Sequence, residues 1–185
     1  MEAPINMPSC HDAAFYSDDR GLLRDLAQFI GKALNAENSA IVVATEIHRG
    51  QLLQSLQAHG VDVELAIRQG RYTCLDAASM LSSILVHGRP NPIQFVRSFS
   101  ELILTAARAA KTHQPRVSIF GECAPLLWAQ GNPEAAIQME KLANELTKSY
   151  DVDILCGYSI DFLEGRMSGL IFQRICAEHT AVVFR

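Results

Sequence analysis

Apolar positions along the chain follow two different periods. Ala40–Thr45 (AIVVAT) is a continuous apolar run rich in β-branched residues, the kind of strand that is covered on both faces. Similar short runs stand at Ala13–Tyr16 (AAFY), Tyr72–Leu75, Val117–Phe120, Val152–Tyr158 (VDILCGY) and Thr180–Phe184 (TAVVF). Between them the spacing changes to three and four. Leu22, Leu23, Leu26, Phe29, Ile30 and Leu34 form one stripe and predict a helix from Arg20 to about Asn35. Further helices are expected over Gln51–His59, Ala77–Val86 and about Ile93–Lys111, with the Gly- and Pro-punctuated HGRPNP, His87–Pro92, as a loop. Asn132-Pro133-Glu134 is a strong helix start. Asn132 can cap free N–H groups, Pro133 fits the first turn, and Glu134 favours the positive end of the helix dipole. The stripe that follows, Ala136, Met139, Leu142, Ala143 and Leu146, reads as core packing.

Strands alternating with helices imply βαβ crossovers. The fold expected is therefore α/β, a three-layer, mainly parallel sheet flanked by helices. With 185 residues, and no repeat, low-complexity tract or linker, residues 1–185 read as one domain. Leu26, Ile41, Val43, Leu75, Ile119 and Ile154 are expected at its centre.

Composition narrows the function. Hydrophobic residues make up 49% and charged residues 19%, enough apolar material for a sizeable core. Net charge is −4 and no basic run exceeds a pair, which argues against direct nucleic-acid binding. No run reaches the roughly twenty apolar residues of a membrane span, and MEAPINMPSC lacks the pattern of a signal peptide. A cytoplasmic location without membrane contact is expected. The five cysteines, Cys10, Cys74, Cys123, Cys156 and Cys176, are widely spaced and read as free thiols. No metal site and no cofactor are expected. A metal held by Cys10, His11, Cys176 and His179 is the sharper alternative to structural roles for these residues.

In open parallel sheets ligands bind beyond the carboxyl ends of the strands. That rule nominates Tyr16, Ser17 and Asp18, then Thr45 and Glu46, Asp76, Gly121 and Glu122, and Tyr158 and Ser159. Ser17, Asp18 and Asp76 also suit helix capping. Glu122 either faces a cavity near Tyr16 and Tyr158, orienting a ligand, or bonds backbone N–H groups and stabilises its turn. The first turn, YSDDRGLL, carries two carboxylates where a phosphate loop presents bare N–H groups, a lysine and a hydroxyl. Neither a phosphate-loop motif nor a dinucleotide fingerprint occurs, and no nucleophile elbow is present, so no catalytic residue is nominated.

The segment Gly121–Leu146 (GECAPLLWAQGNPEAAIQMEKLANEL) resembles the MEDS family, sensory domains of methanogens and methylotrophs and of the repressor DcmR. Gly121, Glu122, Leu127, Trp128, Gly131, Asn132, Pro133, Glu134, Ala135, Ala136 and Glu140 carry the resemblance. His11 with Phe15-Tyr16, Leu155–Tyr158 (LCGY) and Ile175–His179 (ICAEH) are similar to further family signatures. Cys123, Ala143 and Ser159 depart from it; Cys123 and Ala143 are smaller than usual, which suggests an altered pocket. The resemblance implies a RecA/KaiC-like fold that has lost its phosphate loop, and a non-catalytic sensory role in prokaryotic signal transduction. It implies a small organic, hydrocarbon-derived ligand and a signalling partner such as a histidine kinase or regulator module. The ligand-contacting set expected is Tyr16, Ser17, Thr45, Glu46, Asp76, Glu122, Cys123, Trp128, Tyr158 and Ser159. Two rival readings are a degenerate KaiC-like nucleotide-dependent enzyme, with Glu46 or Glu122 as base, and an interaction module without a small ligand. Self-association into a homo-oligomer is also compatible with such a fold.

Overall fold

The computed structural model describes residues 8–160 and 169–185. Six strands form the main sheet: β1 (Cys10–Tyr16), β2 (Ser39–Ala44), β3 (Tyr72–Asp76), β6 (Val117–Gly121), β7 (Val152–Ser159) and β8 (Ala181–Phe184). Their spatial order is β3-β2-β6-β7-β1-β8, and every neighbouring pair is parallel. The register is continuous across the centre: Ile41 lies beside Ile119, which lies beside Ile154.

Helices cover both faces. One face of the sheet packs against α1 (Asp19–Asn35), α2 (Glu46–Ala58) and α3 (Val63–Arg68). Here Ala14, Tyr16, Ala40, Val42 and Phe120 meet Leu22, Leu26, Ile30, Leu52 and Leu56. The other face packs against α4 (Ala77–Ile84), α5 (Pro92–Ala109), α6 (Cys123–Ala129), α7 (Pro133–Ser149) and α8 (Gly169–Ala177). Phe15, Ile41, Ile119, Ile154 and Tyr158 point that way. The alternation of neighbours along β1 and β7 between the two cores follows the two-residue period of a strand.

Leu26, Ile41, Val43, Ile119 and Ile154 are buried, as expected. Leu75 is half-buried, because β3 is an edge of the sheet and is covered less completely. Element bounds move in several places. The first strand begins at Cys10, three residues earlier than its apolar run. The second helix begins at Glu46 rather than Gln51, although the only apolar residue of its first turn, Ile47, is exposed. Helix α3 has no counterpart in the sequence reading; Asp62 caps it by accepting from Leu65 N–H at 2.8 Å. The expected 77–86 helix stops at Ile84; its last two residues form β4 (Leu85–Val86), which pairs antiparallel with β5 (Arg89–Pro90) in the segment read as loop. His87 and Gly88, both at positive φ, make its turn. Helix α7 starts as its sequence predicts: Asn132 accepts from Ala135 N–H and Pro133 opens the first turn.

Candidate functional site

A cavity of about 220 Å³ opens at the carboxyl ends of the strands. It lies between the β1–α1 connection, the tips of β2 and β7, and the start of α6. Leu22, Pro125, Leu126, Ala129 and the rings of Tyr16 and Tyr158 give it an apolar lining. Ser17, Thr45, His48, Glu122 and Ser159 add polar groups. The connection from β1 to α1 is only Ser17 and Asp18, and Asp18 folds over the helix start to accept from Gly21 N–H at 2.7 Å.

Glu122 is buried where Gly121 ends β6. Its Oε2 accepts from Thr45 N–H at 2.7 Å, and its Oε1 lies 2.5 Å from His48 Nδ1. His48 Nε2 lies 3.4 Å from Asp19 Oδ1, so the imidazole is held between two carboxylates. The hydrogen bond to Glu122 raises the His48 pKa; burial works against that shift, and the charges of Glu122 and Asp19 add to it. Both readings of Glu122 therefore meet in one side chain. It lines the cavity with Tyr16 and Tyr158, and it also bonds a backbone N–H of the neighbouring strand tip.

Of the ten residues nominated for ligand contact, Tyr16, Ser17, Thr45, Glu122, Tyr158 and Ser159 are gathered around this cavity. The other four lie elsewhere. Glu46 is exposed in the first turn of α2. Asp76 caps α4 through Ser79 N–H at 2.8 Å and pairs with Arg49 at 3.2 Å. Cys123 is buried and lines a separate internal cavity of about 40 Å³ with Phe95, Phe99, Glu140, Ala143 and Cys156. Trp128 is buried edge-on against the Tyr158 ring, with centroids 5.5 Å apart, and supports that wall from behind. The sequence reading did not nominate His48, Asp19, Pro125, Leu126, Ala129 or Gly157. His48 was legible in principle: a helix starting directly after Thr45 carries it in its first turn, over the tip of β2.

A second group of polar side chains is buried between α7 and the sheet. His11 of β1, Glu140 of α7, Cys156 of β7 and His179 before β8 each bring one donor atom to a common point, all within 4.8 Å of one another. His11 Nε2 lies 3.1 Å from Glu140 Oε2 and 3.4 Å from Cys156 Sγ. Cys156 Sγ is 3.3 Å from Glu140 Oε2, and His179 Nε2 is 3.6 Å from the same oxygen. Glu140 Oε1 accepts from the Tyr158 hydroxyl, which ties this cluster to the wall of the tip cavity. Burial would push the Glu140 carboxyl up, but the charge of His179 and the hydrogen bond from His11 outweigh it and hold the group below the usual carboxylate range. Burial, together with the charge of Glu140, pushes the Cys156 thiol and the Tyr158 phenol well up. His11 and His179 were expected to have structural roles at the strand starts, or to meet Cys10 and Cys176. They meet Glu140 and Cys156 instead, while Cys10 Sγ bonds Asp153 Oδ1 at 3.2 Å.

The parallel sheet and its two helical layers define a three-layer α/β protein with a KaiC-like fold. A crystal structure of a KaiC-like protein from the hyperthermophilic archaeon Pyrococcus horikoshii OT3 superposes with a TM-score of 0.59 at 17% identity, covering 94% of this chain and 71% of that one. Within that class the chain belongs to the MEDS family, the methanogen/methylotroph, DcmR sensory domain, whose model matches residues 10–173. No curated protein matches by sequence.

Proposed function

We propose that this chain is a non-catalytic sensory domain that binds a small organic, hydrocarbon-derived molecule in the cavity at the strand tips and passes its occupancy to a signalling partner. The observation that carries the reading is the cavity: about 220 Å³, with an apolar lining and one hydrogen-bonded polar cluster, Glu122 with His48. Such a volume lies below the ~300–1,000 Å³ of drug-sized sites, which favours a ligand of few heavy atoms. Tyr16, Leu22, Leu126 and Tyr158 would enclose the apolar part, and His48, Thr45 and Ser159 would meet a polar substituent. Phosphate chemistry is disfavoured at the same place. Asp18 already occupies the Gly21 N–H at the start of α1, and Asp19 adds a second negative charge beside the cavity.

A thermal-shift series with chloromethanes, short alcohols and short carboxylic acids tests the reading, with ATP and magnesium as a separate arm. A cognate molecule at a hundredfold excess over its dissociation constant raises stability by about 2.7 kcal/mol. The shift should disappear in Leu126→Trp, which fills the cavity, and ATP should give neither a shift nor turnover. Magnesium-dependent hydrolysis that is lost in Glu122→Gln would replace the sensor reading with the enzymatic one.

A further inference from the structure

We propose that His11, Glu140, Cys156 and His179 form a binding site for one divalent transition-metal ion, zinc by its donor set, held between α7 and the sheet. The site is separate from the tip cavity and does not depend on what binds there.

The first observation is the spacing of the donor atoms. Zn–N and Zn–O bonds of about 2.0–2.1 Å and a Zn–S bond of about 2.3 Å place tetrahedral ligand atoms roughly 3.3–3.6 Å apart. Four of the six donor pairs are 3.1, 3.3, 3.4 and 3.6 Å apart, and the other two lie within 4.8 Å. Small side-chain adjustments would therefore seat an ion among these atoms.

The second observation is where the protons lie. His179 Nδ1 donates to the Ile175 carbonyl at 2.7 Å, so in the neutral ring the lone pair is on Nε2. That Nε2 is buried, has no hydrogen-bond partner among the described residues and is directed at the cluster. His11 Nδ1 sits against two acceptors, Asn144 Oδ1 at 3.0 Å and the Glu178 carbonyl at 3.1 Å, so Nδ1 keeps its proton; Nε2, which donates to Glu140 while the ring is protonated, presents a lone pair to the cluster when an ion displaces that proton. The Asn144 orientation is fixed in turn, because its Nδ2 donates to the Glu178 carbonyl at 2.6 Å. Two imidazole nitrogens, a carboxylate oxygen and a sulfur thus converge on one point, where an ion would replace the proton shared by His11 and Glu140. Outer partners that set the imidazole tautomers are the usual surroundings of metal-bound histidines. The Tyr158 hydroxyl completes them by holding Glu140 Oε1, which leaves Oε2 for the ion.

Charge and ligand type select the metal. A thiolate and a carboxylate neutralise a divalent ion, so the filled site carries no net charge in a dry interior. Two imidazoles, one thiolate and one carboxylate suit zinc and exclude magnesium and calcium, which take oxygen ligands. Binding releases the Cys156 proton and the proton between His11 Nε2 and Glu140 to solvent, and the ion holds the thiolate that burial alone would disfavour. With four protein ligands the site is closed and has no open position for a bound water.

The full-length protein, purified without chelator or added metal, should contain about one zinc per chain by elemental analysis. Chelation should lower its melting temperature, and zinc should restore it. Cobalt loading should produce tetrahedral visible bands and a near-ultraviolet thiolate-to-cobalt absorption. That absorption should disappear in Cys156→Ser and persist in Cys10→Ser and Cys176→Ser, while His179→Ala should lose bound zinc. If folded wild-type protein neither contains zinc nor takes up zinc or cobalt on addition, the proposal fails, whatever the variants do. A thiolate band that survives Cys156→Ser in folded protein overturns the assignment of the ligands.

Discussion

Gly157 stands where a side chain has no room. A methyl group there would lie 2.9 Å from two atoms of the Phe120 ring and 3.1 Å from Leu22. Phe120 is fully buried, so it has little space to retreat. Gly157→Ala should therefore destabilise the fold by about 1–3 kcal/mol, the usual cost of overpacking a filled core, measurable by urea denaturation. Gly157 also lines the tip cavity, so a displaced Phe120 or Leu22 would change the cavity's shape as well as the stability. His48 makes a prediction with a sign. Its pKa is raised in the fold by Glu122, so its bridge stabilises fully below the unfolded value of about 6.5 and is lost as pH rises through the higher folded value. The charged groups facing it are Glu122 from the end of β6 and Asp19 from α1. The melting temperature of the wild type should exceed that of His48→Gln most clearly near pH 6, with the gap closing toward pH 8.5. A gap that stays constant across that range would remove charge from the role of His48.

At the scale of elements, α7 is the helix on which most of the buried polar chemistry hangs. Asn132 starts it by accepting from Ala135 N–H, and its Nδ2 donates to the Gly88 carbonyl at 2.8 Å, so the cap also ties the β4–β5 turn to the helix. Asn132→Ala should cost about 1 kcal/mol, near the middle of the range for lost caps, and thermal denaturation would report it. The strands and longer helices were legible in the sequence because burial on both faces writes continuous apolar runs, and one-sided packing writes a period of 3.6. What escaped was polar. The start of α2 has no apolar period in its first turn, which left His48 outside the helix that the sequence predicts. The apolar stripe of α7 reads as core, and within it Glu140 emerged only through the family resemblance, with no partner suggested. Those partners lie far away in sequence: His11 is 129 residues from Glu140, and Cys156 is 145 residues from His11. No short spacing encodes a cluster that only the strand order assembles. The strand-tip rule, by contrast, needs topology alone, and six of the residues it nominates line one cavity.

At the scale of the whole molecule, the six parallel strands leave β3 and β8 as the edges of the sheet. No helix among the described residues is long and apolar enough to cross a membrane. The strand order also decides when the chain can fold. β1 is the first strand made, yet its two neighbours, β7 and β8, are the last. Cys10 waits for Asp153 and Asp12 waits for Ala181. At roughly 5–20 residues per second on the ribosome, that wait is on the order of ten to thirty seconds. For that interval Ala13–Tyr16 has neither of its sheet partners, and the edge of β7 that β1 will cover does not yet exist. The β1 part of the sheet therefore cannot form until β7 and β8 have been made, and completion of the sheet should follow their emergence. A chain ending at residue 150 lacks both neighbours of β1 and should remain protease-sensitive at concentrations where the full chain resists digestion. Nascent chains of increasing length, probed by pulse proteolysis, should become protected in one step after β7 has left the tunnel, with no protected fragment appearing before it.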